Sequence, residues 1–573
     1  MSHLIVLSVG PVQEFIAAAR RTRDLWFGST LLSDISSAAA KAMQNFGAKL
    51  IFPSEVNPHI SVANIILAEF EAINPAECLE KGKAAAREAW KKVADKALVK
   101  ANGLIVNERW NRQVDDVLEM YGCWVPVTTE GYASARKNLM RLLDARKNMR
   151  NFAPASGKDE GIPKSSLDGL RETVLIDNAA KIVEKKDLGR WRALRLKTGE
   201  QLDIIGVVKR LGERQSFPSV SRVSADPWIR GVSANEKCAR AWAEFKDACE
   251  GLARVDKLAR VNSPIFGYEG GAIYAGRHAE LTEETDADLT ELKIALSSLQ
   301  KIHGEPDPYL AILVADGDKI GEALGTILKA EDHRNFSSKL AAFATDAAKI
   351  VEASYNGVSV YTGGDDVLAF LPVDKAIDCA HALQERFRKV HPGVTLSVGI
   401  AIGHCLENLE DLLNWGRTAE KHAKNKKSDE PGDHRNGLAV HLNKRGGGPV
   451  LYRDNWGNNP KELLLGFADD LRVGRLPRKF ASDLAAIAAR YSAWPTSDAD
   501  QIKLLKEALV ADATYRFGRK KPELSKDEVE ACREKILKLL NGVKSHHDIK
   551  RIADAMAIGY HIQKSLEQAE PTQ

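Results

Sequence analysis

Val358-Ser359-Val360-Tyr361-Thr362-Gly363-Gly364-Asp365-Asp366-Val367-Leu368-Ala369-Phe370-Leu371 reads as two short apolar runs around a Gly-Gly-Asp-Asp turn. β-Branched and aromatic residues on either side of paired glycines predict a β-hairpin. Upstream, residues 310–315 are an apolar run ending in Asp316-Gly317-Asp318-Lys319, where a helix begins and runs toward residue 327. Residues 336–353 and 376–390 carry helical periodicity, 395–402 form another apolar strand, and 409–424 are again helical. The order strand–helix–strand–strand–helix–strand is the split βαββαβ of a ferredoxin-like sheet. In that topology the first strand lies beside the hairpin, which brings Asp316 next to Asp365 and Asp366.

The same order occurs once more, nearer the N-terminus. It runs as a strand over 4–9, a helix over 12–44, strands over 50–52 and 64–70, a helix over 75–101, a strand over 124–127 and a basic helix over 132–150. Residues 157–169 are loop-like, and 234–259 and 287–303 look helical. Gly446-Gly447-Gly448-Pro449 reads as a linker, and 460–573 as several helices. The fold class expected is therefore α+β. Two ferredoxin-like domains (1–150 and 305–446) are joined by a mixed α/β connecting domain (151–304) and followed by a C-terminal helical bundle (447–573).

Composition bounds the function. The 573 residues are 44% hydrophobic and 28% charged, ordinary for a folded protein. With 82 Lys and Arg against 78 Asp and Glu, the net charge is +4, which excludes a histone-like polycation and leaves room for local basic patches. The seven cysteines are widely spaced and include no C-x-x-C pair, so reduced thiols are expected and no zinc site. No targeting segment and no run approaching the ~20 apolar residues of a membrane span is present, so a cytoplasmic protein with no membrane partner is expected.

Alone, Gly363–Asp366 reads equally as a Gly-Gly turn followed by two solvated aspartates, and Asp316–Lys319 as a helix cap. Placed at matching strand ends, they become a crowded carboxylate set that calls for a cation. Mg²⁺ or Mn²⁺ takes hard oxygen ligands and keeps substrate phosphates in its shell. Gly363 and Gly364 permit a tight turn and close approach of a base or phosphate. Gly317 and the N–H groups of Asp318 and Lys319, opening the next helix, can face phosphate oxygens. Lys424, at the end of the last helix, could reach a triphosphate; by itself it reads better as favourable charge at a helix C-terminus.

At these residues the chain resembles the second palm of the large subunit of type III CRISPR effector complexes, most closely that of type III-B (the Cmr complex). Leu396-Ser397-Val398-Gly399-Ile400-Ala401 belongs to the same likeness. So do Gly10-Pro11-Val12-Gln13-Glu14-Phe15-Ile16, Ala19-Arg20-Arg21-Thr22-Arg23-Asp24-Leu25-Trp26 and Gly28-Ser29. Further along it includes Lys164-Ser165-Ser166-Leu167-Asp168-Gly169, Gly199-Glu200-Gln201-Leu202 leading to Val208-Lys209-Arg210, and Phe217-Pro218-Ser219-Val220-Ser221. The likeness spans roughly residues 3–450. It implies two palm domains of the nucleotidyl cyclase/polymerase type that bind two ATP molecules, with target RNA switching on synthesis of cyclic oligoadenylate messengers in antiviral defence. It implies Asp316, Asp365 and Asp366 as metal ligands, with Asp365 and Asp366 the catalytic pair. Gly363, Gly364 and Lys424 would meet nucleotide, as would Ser29 and Asn64 from the first palm. Other Cmr subunits, a CRISPR guide RNA and target RNA would be partners.

Two departures shape the expectation. Many relatives begin with a His-Asp nuclease domain; here the first palm starts at about residue 3, so no DNase activity is expected. His546-His547-Asp548 reads as surface helix. Many relatives also carry a zinc site in the connecting region, where this chain offers only Cys238 and Cys249. The first palm's hairpin offers one acid, Glu55, so it is expected to hold substrate without catalysis. Three basic clusters could meet RNA phosphates: Arg20/Arg21/Arg23, Arg516/Arg519/Lys520/Lys521, and Arg435/Lys444/Arg445. The competing readings are a non-enzymatic RNA-binding scaffold of the same complex, a free-standing GGDEF-like cyclic dinucleotide synthase, and transfer of AMP to S-adenosylmethionine.

Overall fold

Strand β1 (His3–Gly10) sends Ile5, Leu7 and Val9 into one core and Leu4 and Val6 into another, the period-2 split of a sheet covered on both faces. The computed structural model describes residues 2–57, 62–71, 73–149, 161–176, 194, 196, 199–212, 217–249, 267, 270–285, 288–424, 435–494, 498–518, 526–543 and 545–571. Its first sheet orders β2 (Lys49–Phe52), β3 (Ile65–Phe70), β1 and β4 (Glu119–Pro126), all neighbours antiparallel. This is the ferredoxin-like order expected.

The helix expected over 12–44 is in fact two, α1 (Gln13–Ala17) and α2 (Thr22–Asn45). The reason is a distant lysine. Lys209 is fully buried and donates to the carbonyls of Phe15, Ile16 (3.5 Å) and Ala18 (2.8 Å) at the end of α1. Those orphan carbonyls are satisfied by the ammonium rather than by helix continuation. The next residue, Arg210, is clamped between Asp24 (2.6 Å) in the first turn of α2 and Glu200 (3.0 Å). Helices α3 (Pro75–Lys100) and α5 (Gly131–Asn148) cover the sheet as expected, while α4 (Asn107–Val114) was not anticipated and β4 begins earlier than 124.

Residues 151–304 contribute α6 (Ile204–Leu211), α7 (Val220–Ser224), α8 (Asp226–Ala234), α9 (Ala239–Ala248), α10 (His278–Thr285) and α11 (Thr290–His303). The strands expected of a mixed segment are not found there among the described residues. Its extended pieces meet only in isolated bridges, Lys164↔Glu172 and Ile105↔Leu175. Residues 157–160, and most of 249–259, lie outside the described residues.

The second sheet carries the site. In chain order come β5 (Tyr309–Asp318), α12 (Ile320–Thr326), α13 (Ala330–Lys349), β6 (Val358–Gly363), β7 (Asp366–Leu371), α14 (Val373–Phe387), β8 (Thr395–His404) and α15 (Leu409–Lys424). The order β8-β5-β7-β6 repeats that of the first sheet, as the sequence predicts. Two further strands extend it, β9 (Gly437–Leu442) parallel to β8 and β10 (Val450–Asn455) antiparallel to β9. Gly446–Pro449 therefore joins two paired strands of one sheet, and its reading as a linker is corrected. Proline and glycine mark a turn here because the chain reverses within the sheet. Leu310 and Ile312 of β5 belong to the core shared with the first half of the chain, while Ala311, Leu313 and Ala315 belong to a second core.

That second core is completed by α16 (Pro460–Arg472), α17 (Phe480–Arg490), α18 (Ala499–Gly518), α19 (Lys526–Asn541) and α20 (His546–Ala569), the expected helical region. His546, His547 and Asp548 open α20, where Asp548 forms a capping box with Ser545. Helix α13 ties the two sheets together: Arg334 donates to the Leu50 carbonyl (2.8 Å) and pairs with Glu69, and His333 Nδ1 lies 2.6 Å from the Tyr132 hydroxyl. Among the described residues no helix is long and apolar enough to cross a membrane.

Candidate metal centre

The β6–β7 hairpin closes with Gly363 opposite Asp366, leaving Gly364 and Asp365 as a two-residue loop. Gly364 has φ +68°, at the first loop position, where a II′-type turn requires glycine. A register shift between Ser359 and Tyr361 inserts one extra residue into β6 just before the turn. Such bulges re-aim side chains beside functional sites.

Strand β5 brings Asp316 alongside. Carboxylate oxygens of Asp316, Asp365 and Asp366 all lie within 4.8 Å of one another. Gly317 makes this approach possible, since a Cβ there would stand 2.8 Å from Asp365 Cβ and 2.9 Å from its Oδ2. Burial pushes the Asp365 carboxyl up to about 6. Asp366, at the open mouth of the site, rises to about 7, first from the protein packed around it and then from the charges of Asp365 and Glu420. Negative charge on Asp365 and Asp366 is thus poorly compensated, which is the electrostatic signature of a cation site. An octahedral ion with bonds of about 2.1 Å spans oxygens up to about 4.2 Å apart, so the three carboxylates fit one Mg²⁺ or Mn²⁺ after small side-chain movements.

Asp318 does not join the set. It is 1% exposed, and its carboxylate accepts from Thr395 Oγ1 (2.8 Å), Ser397 Oγ (2.8 Å) and the Asn436 N–H (3.0 Å). It pins β5 to β8 and to the start of β9. Lys319 has φ +61° and opens α12.

Helix α15 contributes what sequence reasoning missed. Its backbone lies directly on Gly399 of β8, where a Cβ would stand 2.0 Å from the Glu420 nitrogen. That close approach carries Lys424 to Asp316, with which it forms an ion pair, while Glu420 pairs with the same ammonium at 3.0 Å. Glu420 could have been found as the residue one turn before Lys424 on the same helix face. Tyr361 was also missed: a Cβ on Gly363 would stand 2.0 Å from its hydroxyl, and burial, then Asp366 and Asp365, push that hydroxyl's pKa up.

Ser29 is buried in α2 beside Gly28, whose missing Cβ makes room for Lys209. Asn64 accepts the Val9 N–H through its carbonyl (2.8 Å). Among the described residues no hydrogen bond connects either to the carboxylates. Glu55 of the first hairpin is exposed. Of the basic clusters, Arg20 is committed to the Ser166 carbonyl (2.9 Å) and Glu200, Arg435 to Glu322 (3.8 Å), Arg445 to Glu407 (3.2 Å) and Arg516 to Asp483 (3.9 Å). Arg519, Lys520 and Lys521 lie outside the described residues.

Comparison with known proteins agrees with this fold. A family model described as Cas10/Cmr2, second palm domain, matches residues 309–433, and one for the N-terminal region of the CRISPR-associated protein Cmr2 matches 4–95. The chain is 23% identical to the CRISPR system Cmr subunit Cmr2 of Pyrococcus furiosus, over 96% of this chain and 73% of that protein. Its fold resembles a chain of the type III-B Cmr-beta complex in the apo state, with TM-score 0.62, 14% identity, and coverage of 89% of this chain and 77% of that one. The same complex bound to cognate target RNA gives TM-score 0.62 and 14% identity, covering 89% and 78%.

Proposed function

This chain is a member of the Cmr2 family of type III-B CRISPR large subunits, and on that premise we propose that it joins ATP molecules into cyclic oligoadenylates. It would do so within an assembly of other Cmr subunits, guide RNA and target RNA. One observation carries the reading: Asp316, Asp365 and Asp366 converge at matching strand ends of a palm-type sheet.

In the reaction, the 3′ (or 2′) hydroxyl oxygen of one ATP forms a bond to the α-phosphorus of another. The bond from that phosphorus to the bridging oxygen breaks, pyrophosphate leaves with the electron pair, and the hydroxyl proton passes to solvent. Asp316, Asp365 and Asp366 would hold Mg²⁺ or Mn²⁺, which when bound lowers the hydroxyl pKa and neutralises charge at the α-phosphate. Gly364 has no atom within 4 Å of the place of its missing Cβ, which leaves the turn open to a nucleotide. Lys424 would meet phosphate, while the bare Gly317 and Gly363 make room for Asp365 and for the Tyr361 hydroxyl. Asp318 acts at one remove, by fixing β5 against β8. The first sheet, whose hairpin offers only Glu55 among its described residues, would hold substrate without chemistry. Holding both nucleotides in line supplies up to ~7–11 kcal/mol of the barrier in ideal cases.

The test is incubation of the reconstituted complex with guide and target RNA, α-labelled ATP and Mg²⁺ or Mn²⁺, beside Asp365→Ala/Asp366→Ala. Target-dependent oligoadenylate that disappears in the double variant is expected. No product from the intact complex with ATP, or with ATP and S-adenosylmethionine, while RNA remains bound, overturns the enzymatic reading in favour of a scaffold.

A further inference from the structure

We propose that Lys424 is a built-in stand-in for the divalent ion, holding Asp316 while the site is empty and giving it up when metal and nucleotide arrive. The inference rests on the metal-site reading above. Its carrying observation is the contact set of one side chain: the Lys424 ammonium forms an ion pair with Asp316, one of the three clustered carboxylates, and with Glu420 at 3.0 Å. Both lysine and glutamate side chains are largely shielded from water, 12% and 13% exposed, so this cation is less screened than one at the surface.

The geometry has two consequences. An ammonium on Asp316 and a divalent ion on the same carboxylate repel one another, so the ion binds against the lysine. Glu420 gives the displaced ammonium a second anchor on its own helix, which keeps it near the site rather than releasing it to solvent. From there it meets the negative charge of an incoming triphosphate. Metal and nucleotide therefore favour each other through the lysine, in addition to any direct contact between them, and the coupling is reciprocal. Glu420 acts here as a positioning residue.

The experiment is Mn²⁺ titration of the full-length chain, read by the electron paramagnetic resonance of free Mn²⁺, with and without the unreactive α,β-methylene analogue of ATP. Lys424→Met is compared with Lys421→Met, an exposed neighbour on the same helix that carries the same charge change. Lys424→Gln serves as a second variant, and circular dichroism confirms folding. Lys424→Met should bind Mn²⁺ about fivefold tighter or more without nucleotide, with Lys421→Met within about twofold of the parent. The analogue should tighten Mn²⁺ binding more in the parent than in Lys424→Met. Unchanged or weaker Mn²⁺ binding in both Lys424 variants, with binding still lost in Asp316→Ala, overturns the stand-in while sparing the metal site. Parent binding no better than that of Asp365→Ala/Asp366→Ala overturns the metal site and the stand-in together.

Discussion

Replacing Gly317 with alanine should disable the site without touching a carboxylate. A Cβ at 317 would stand 2.8 Å from Asp365 Cβ, 2.9 Å from Asp365 Oδ2 and 2.9 Å from Ile320 Cγ1. Ordinary carbon contacts fall at about 3.5–4.0 Å, so Asp365 must retreat by roughly 0.6–1 Å. Ile320 can swing aside, but Asp365 sits in a two-residue loop and has little freedom to follow it. Overpacking of this kind costs about 1–3 kcal/mol, and a misplacement near 1 Å costs up to about 100-fold in rate. The expected outcome is an at least ~10-fold loss of oligoadenylate synthesis and several-fold weaker Mn²⁺ binding by calorimetry, in a chain that still melts cooperatively. Gly321→Ala is the control: it lies in α12 with nothing within 4 Å of its missing Cβ, so it should be silent or slightly stabilising. Unimpaired Mn²⁺ binding and synthesis in a folded Gly317→Ala chain would refute the placement of Asp365 against β5.

Two further outcomes follow from buried polar groups. Asp318→Ala removes the acceptor shared by Thr395, Ser397 and the Asn436 N–H, and should lower stability by about 3–5 kcal/mol in denaturant titrations; a loss of nucleotide affinity with stability intact would instead make Asp318 a ligand contact. Burial pushes His333, His441 and His561 down to about 4, helped by the charges of Arg136, of His422, and of Lys444 and Lys564 respectively. Because these folded-state values lie below the ordinary one near 6.5, the unfolded chain takes up protons first. Stability should therefore fall as pH drops from about 6.5 toward 4, by on the order of 3 kcal/mol per histidine at the acid end. Asp365 and Asp366, with raised values, oppose this trend over their own range. Thermal melts at stepped pH should show a shallower decline in His333→Gln than in the parent, and equal slopes would sink the assignment.

The carboxylate cluster was legible because it is local. Apolar runs, a Gly-Gly-Asp-Asp turn and an acid at the end of the preceding strand suffice to predict a hairpin beside β5, and the three carboxylates indeed meet. What stayed hidden depends on contacts distant in sequence. Glu420 enters the site only because α15 lies on the bare backbone of Gly399. The break between α1 and α2 depends on Lys209, nearly two hundred residues later. The residues quoted for the family likeness near Asp24, Glu200, Lys209 and Arg210 turn out to lock α1 and α2 to α6. The structural role of the Asp318 carboxylate also stayed hidden, because spacing alone does not tell an acid that faces the opening from one that staples two strands. Gly446–Pro449 misled for a related reason: glycine and proline mark a reversal of the chain, and the pairing of β10 with β9 is invisible locally.

Strand β5 supplies alternate residues to two separate cores and ends in Asp316 and Asp318. It works like a gauge rod clamped from both sides. Sliding it by one residue would swap Leu310 and Ile312 with Ala311 and Leu313, leaving one compartment overfilled and the other hollow. The depth at which Asp316 stands is thus calibrated by both halves of the molecule at once. Drift in either interior is filtered by its effect on that calibration, including at positions that never come near a nucleotide.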